Sequence, residues 1–445
     1  MNRKLLLGTA RMEITPPMPV PLAGFAGRSG SYERVDQRLY ARIWLWETAE
    51  QTPLRRAVLV QADLIWFGQE VAPGLIRAIA ERWDIPEAAV ILHASHTHGG
   101  PQTSDCLHPW LGKADPAYLA FLEGQIQEGI ERAGRSKEAV SLERGRGECR
   151  IGINRRKFIN GVMEMAPNPD GPTDPEVTVI RFVTGSGGTK GIWFHYACHP
   201  TTTADNAVSS DFSGAAMEQL EEAWGGVPAS FLQGCCGDVR PALFREGHFY
   251  RGGPAEVKQL GTALAEEVQR VLEGPMERLE PASLEARRVT IPLPYERYPD
   301  AEELAKAEQE EGPQAEWSRL LASGRSPSGR TAPMHVSVLE IAEGLMLASM
   351  NAEVVGEYGR LIKERFRGTV LPLPYSNGMI GYVPTAAQLA EGGYEADRSG
   401  VYFGMPSPFH PSVEAILYGQ ITTLIAEMRG KPESPGEPAE NDRTA

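Results

Sequence analysis

Three of the nine histidines fall within six residues, His93, His96 and His98, in the stretch Ile91-Leu92-His93-Ala94-Ser95-His96-Thr97-His98-Gly99-Gly100-Pro101. Imidazole is a common metal ligand, and its ordinary pKa suits proton transfer near neutral pH. The apolar run Ala88 to Leu92 reads as a buried strand, and Gly99-Gly100-Pro101 breaks the chain after the histidines. If the strand continues through them, residues two apart share a face. His96 and His98 then project together, with His93 on the other face. Such a pair can offer one nitrogen to a metal and one to a reacting water. The plainer alternative is a polar loop that happens to carry histidines.

A second apolar strand, Gly191 to Cys198, also ends in a histidine, His199-Pro200-Thr201. A zinc site needs roughly three or four nitrogen or oxygen ligands. His96 and His199 supply two, and a carboxylate is the natural third, but spacing does not choose among the many available. The cysteines are Cys106, Cys149, Cys198, Cys235 and Cys236, an odd number with no Cys-x-x-Cys pair. They imply neither a disulfide framework nor a thiolate zinc site. A Gly-x-Ser-x-Gly elbow, a Walker loop, a His-Glu-x-x-His helix and a Gly-x-Gly-x-x-Gly turn are all absent, which weakens the serine-hydrolase, nucleotide and zincin readings.

The elements that must position these residues alternate between strand and helix. Residues 38–47 and 56–67 read as strands, 71–83 as an amphipathic helix and 88–92 as the next strand. Helices are expected at 117–133, 212–224, 254–273, 354–366 and 411–428. Strands are expected at 139–153, 176–183, 191–198, 229–233, 334–342 and 345–350. An acidic helix over 299–323 breaks near Gly312-Pro313, and a loop follows at 323–333. The fold class is therefore α/β, a mixed central sheet or sheets flanked by helices. Residues 1–429 are expected to form one large catalytic domain, and 430–445, rich in Pro and Glu, a disordered tail.

Composition narrows the partners. The net charge of -14 repels phosphate backbones, so nucleic acid is excluded as a partner and a small-molecule substrate is expected. No apolar run is long enough to cross a bilayer. The apolar part of the N-terminus, Leu5-Leu6-Leu7, is too short for an export signal, so the expected location is cytoplasmic.

Eight stretches, in order, carry a resemblance: GTARMEITPP from residue 8, SHTHGGP from 95, GINRRK from 152, TDPEVTVIRF from 173, WFHYACHPTT from 193, FLQGCCGDVRP from 231, NAEVVGEYGRLIK from 351 and YSNGMIGYVPTAAQLAEGGYE from 375. Together they resemble the neutral or alkaline non-lysosomal ceramidases, a family of zinc amidohydrolases, over that family's catalytic part and without its C-terminal β-sandwich domain. The resemblance implies that zinc is held by His96, His199, Glu353 and Tyr382. It implies that His98 is the acid/base beside the metal and that Arg155 lies near the substrate. Asp211 and Asp238 are expected to hydrogen-bond the ligand imidazoles from behind.

The sequence departs from the family pattern in places. Arg240 stands where the family has a serine considered as a nucleophile, which favours attack by a metal-activated water. Arg156 replaces another serine, and Gly99 a third. Arg155, Arg156 and Arg240 are the expected substrate-binding residues, and they favour a polar or anionic N-acyl compound over ceramide. The alternatives are a zinc hydrolase of esters or glycosidic bonds, and a non-catalytic metal-binding protein on the same scaffold.

Overall fold

The computed structural model describes residues 4–49, 55–324 and 329–430. The largest element is a mixed sheet. Its strands run in the order Ala229–Gln233, Thr189–Tyr196, Glu176–Thr184, Glu138–Glu148, Lys4–Glu13, Tyr40–Ala49, Arg56–Ala62 and Val90–Ala94, with Glu277–Leu279 pairing off this path. Most neighbours are antiparallel. The two ends are parallel: Val90–Ala94 lies beside Arg56–Ala62, and Thr189–Tyr196 beside Ala229–Gln233. Parallel neighbours need a crossover. The helices Ala72–Trp83 and Asp211–Ala223 provide them.

The sheet curls until its two ends meet. His93 Nε2, on one terminal strand, accepts a hydrogen bond from the Gln233 backbone N–H, on the other, at 2.8 Å. Trp44 Nε1, on Tyr40–Ala49, donates to Ser230 Oγ on the far terminal strand across the inside of the curl at 2.8 Å. Trp44, Trp46, Phe182 and Trp193 pack inside, with ring centroids 4.9–5.4 Å apart along the chain of contacts. This closure brings together the C-terminal ends of Val90–Ala94 and Thr189–Tyr196, and so the residues that follow them.

A second sheet, ordered Ala286–Pro294, Thr331–Ala342, Leu345–Met350 and Val370–Leu373, packs beside the first. Tyr375 to Asn377 run along the free edge of Val90–Ala94: Ala94 N–H donates to Tyr375 O at 3.1 Å and Asn377 N–H to Leu92 O at 2.8 Å. The edge is thereby covered. One apolar cluster extends from Leu5 to Ile425, so both sheets share a core.

The expected helices form close to their expected limits. The region 139–168 differs. The strand Glu138–Glu148 stops, and a new hairpin, Gly152–Ile159 with Val162–Asn168, leaves the large sheet. Asn160 and Gly161 turn it with φ of 53° and 83°, the left-handed pair that an Asn-Gly hairpin turn requires. That dipeptide was the legible signal for a hairpin. The run 56–67 is strand only to Ala62. Asp63 then turns inward, its carboxylate accepting from Tyr40 N–H at 2.9 Å and pairing with Arg42 at 3.3 Å. The expected 323–333 loop is strand from Thr331 onward. Residues 325–328, and the expected tail from residue 431, lie outside the described residues.

Candidate metal and catalytic centre

The strand before the histidine stretch ends at Ala94. His96 then adopts φ 66°, a left-handed conformation uncommon for a side chain of this size. The convergence of His96 and His98 therefore comes from a turn, in place of the continued strand expected from sequence. Their ring centroids are 5.0 Å apart. His93 faces the other way and is structural: Nδ1 lies 2.8 Å from Ser376 Oγ and Nε2 takes the Gln233 N–H.

His96 and His199 are fixed in the same manner. His96 Nδ1 lies 2.8 Å from Ile65 O, and His199 Nδ1 lies 2.6 Å from Cys236 O and 2.9 Å from Val239 O. A carbonyl only accepts, so both Nδ1 atoms carry protons. In the neutral tautomer each Nε2 then presents a lone pair. Both Nε2 atoms stand 3.3 Å from Glu353 Oε2. Burial and the nearby Arg155 charge hold His199 neutral down to about 4. Three lone-pair atoms at this separation call for a cation among them. Ligands about 2.1 Å from a tetrahedral centre stand roughly 3.4 Å apart, so the donor set fits a metal ion. His98 adds a nearby nitrogen, with the ligand atoms of His96, His98 and His199 all within 4.8 Å of one another.

Glu353 and Tyr382 owe their meeting to a short parallel ladder. Glu353–Val354 pairs with Tyr382–Val383, and Glu353 and Tyr382 are direct register partners. Paired residues project to the same face of a ladder. The Tyr382 hydroxyl accepts from Arg155 Nη2 at 3.1 Å. Arg155 Nε in turn donates to Glu395 Oε1 at 2.7 Å.

Gly24, Phe25, His98, His199, Arg155, Arg240, Arg251, Tyr382 and Tyr394 line a common cleft of about 210 Å³. Neither nitrogen of His98 has a hydrogen-bond partner within the protein. Burial, then the neighbouring His96 and His199, keeps its pKa well below 6.5. A neutral imidazole with a free nitrogen facing a cleft is equipped to accept a proton.

Not every expected residue joins the cleft. Arg156 turns aside, its guanidinium bonded to Glu395 at 2.8 Å and Glu391 at 3.0 Å. It lines a separate hollow with Phe158 and Gln388. Asp211 and Asp238 do not reach the imidazoles, whose Nδ1 partners are backbone carbonyls. The Asp211 carboxylate accepts from Thr202 N–H, Thr202 Oγ1 and Phe212 N–H. Asp238 accepts from Gly356 N–H at 2.8 Å and Gln388 Nε2 at 2.9 Å. Both brace the loops that carry the ligands.

The family model described as neutral/alkaline non-lysosomal ceramidase, N-terminal, matches residues 5–261. The chain belongs to this family. The fold agrees: the crystal structure of neutral ceramidase from Pseudomonas aeruginosa superposes with a TM-score of 0.75 at 20% identity, covering 99% of this chain and 77% of that one. A ceramidase complexed with C2 gives 0.74 at 19% identity, covering 98% and 77%. No curated protein sequence matches the chain.

Several residues of this ceramidase-family centre escaped the sequence reading. Tyr375 stacks on His96 with centroids 4.0 Å apart. Glu395 neutralises Arg155, and Gly24 sits against His98. Arg251 enters the cleft from a loop with no motif around it. Glu395 closes the last of the eight matching stretches, so a signal for it existed. Tyr375 opens that stretch, but an apolar setting marks it only as a packed aromatic.

Proposed function

We propose that the protein is a zinc-dependent amidohydrolase that cleaves the N-acyl bond of ceramide or another N-acylated compound. The observation that carries this reading is the convergence of His96 Nε2, His199 Nε2 and Glu353 Oε2 at 3.3 Å contacts, beside a cleft lined by His98. His96, His199, Glu353 and Tyr382 would hold the zinc. Bound there, the ion would polarise a carbonyl and lower the pKa of a water towards about 7.

The remaining tasks fall to the chain. His98 has a free nitrogen with which to take the proton of an attacking water. Returning that proton to the departing nitrogen is the step amide cleavage needs most, since an unprotonated amine leaves poorly. Arg155 and Tyr382 offer N–H and O–H groups for the carbonyl oxygen as it gains charge. Glu395 holds the Arg155 guanidinium in place. Arg240 carries no nucleophile, which fits attack by water. Hydrolysis of a short fluorogenic ceramide or another N-acyl amide, lost with EDTA and restored by zinc, is the expected result. Turnover of esters or glycosides alone, with every amide untouched, would overturn it.

A further inference from the structure

The cleft holds more positive charge than its own carboxylates answer. Arg155 and Arg156 are both met by Glu395. Arg240 and Arg251 have no carboxylate within ion-pair distance among the described residues. Arg240 is 6% exposed, and its Nε has no hydrogen-bond partner. It lies on the short strand Val239–Pro241, opposite Ile153 in the ladder that also carries Arg155. Its guanidinium rests over the Phe249 ring, 4.3 Å from the centroid.

Arg251 lies over Phe25 at 4.5 Å and donates to Thr201 O at 3.2 Å. Arg28 approaches the same ring at 4.9 Å, but its Nη1 is spent on the carbonyls of His98 and Ala23. The nearby acids are engaged elsewhere: Asp205 with Arg34 at 2.6 Å, and Asp211 with Thr202 and Phe212. Burial, and then mutual repulsion, lowers Arg240 to about 9 and Arg28 to about 10. A buried, unpaired guanidinium is costly to a fold unless something answers it. Here it is tethered by aromatic stacking in the wall of the cleft that His98 and His199 also line.

We infer that Arg240 and Arg251 form an anion subsite in this cleft, and that the substrate is an anionic N-acyl compound whose carboxylate or phosphate sits beside the scissile amide. The inference rests on the amidohydrolase reading for the word amide, but not for the anion. A guanidinium fork suits either oxyanion, because both present two oxygens to parallel N–H donors. The neutral hydroxyl head of ceramide would leave both charges unanswered.

The test is calorimetric titration of the full chain, treated with EDTA to prevent turnover, with N-octanoylglycine, N-octanoylphosphoethanolamine and the neutral N-octanoylethanolamine. Parallel kinetics use the zinc-loaded chain. One or both anionic amides are expected to bind about tenfold or more tightly than the neutral one, as losing a charge-assisted pair implies. Which of the two wins identifies the anion. Arg240→Met should erase that preference by weakening the anionic ligand, and Arg240→Lys should restore part of it. Arg251→Gln, at the exposed mouth, gives a second reading should the buried substitution prevent folding. Equal binding of all three amides, or an undiminished preference in both Arg240→Met and Arg251→Gln, overturns the subsite. Hydrolysis of all three amides with equal binding would sink the subsite and keep the amidohydrolase. Anion-selective binding with no amide cleaved would do the reverse.

Discussion

The His93 imidazole joins the two ends of the large sheet, accepting the Gln233 N–H at 2.8 Å while Ser376 Oγ stands 2.8 Å from its other nitrogen. His93 takes no part in chemistry, yet it sets the distance between the strand leading to His96 and the strand beside the one leading to His199. Replacing it with leucine strands a buried N–H, which costs about 1–3 kcal/mol. We expect His93→Leu to lower the urea midpoint accordingly and to weaken metal binding, although no ligand is touched. An unchanged midpoint would mean the seam is held by packing alone.

Acid should unfold the protein through its buried neutral histidines. Burial lowers both His93 and His195 from 6.5 to about 3, helped for His93 by the cost of charging it beside His195 and for His195 by Lys363. Between those values the unfolded chain binds more protons than the folded one, so stability rises with pH. The contribution is complete above about 6.5 and is lost as pH falls towards 3, at about 1.4 kcal/mol per pH unit for each histidine. Urea unfolding at several pH values measures the slope. His195→Phe should reduce it by one proton's worth.

Gly24 is required by His98. Its φ is +98°, and a Cβ there would stand 2.3 Å from His98 Nδ1 and 2.6 Å from Ile65 Cδ1. Gly24→Ala should displace the His98 ring and reduce kcat at least tenfold while the metal stays bound. His98→Ala should cost about 10²–10⁴ in kcat, the usual worth of a positioned acid/base, again with metal content intact. Loss of metal in either variant would move His98 from proton transfer to ligation.

How much of this was legible in sequence depended on whether the signal was local. Helix limits and the two strand-then-histidine segments were readable because apolar periodicity is a local property. The pairing of His96 with His199 was readable only as a possibility of neighbouring strand ends. Its actual cause, a sheet closing on itself through His93, depends on contacts 140 residues apart. Glu353 and Tyr382 carry no local signal, and resemblance alone singles them out, because the ladder that joins them pairs residues 29 positions apart. Arg156 is drawn away from the cleft by Glu395 and Glu391, more than 230 residues on, which no local signal shows. Asp211 and Asp238 were assigned to the imidazoles, but backbone carbonyls, which every residue has, took that place.

If His96, His199 and Glu353 form a metal site, the purified chain holds a metal in fixed stoichiometry. Purified chain equilibrated with zinc and then passed through a desalting column should retain about one ion per chain by mass spectrometry. Glu353→Gln keeps the shape but removes the charge, and should lower affinity at least 100-fold. His199→Ala should lower it by as much. Wild-type chain with no stoichiometric zinc, iron or manganese, or variants that hold the metal as tightly as the wild type, would mean that these three residues are not its ligands.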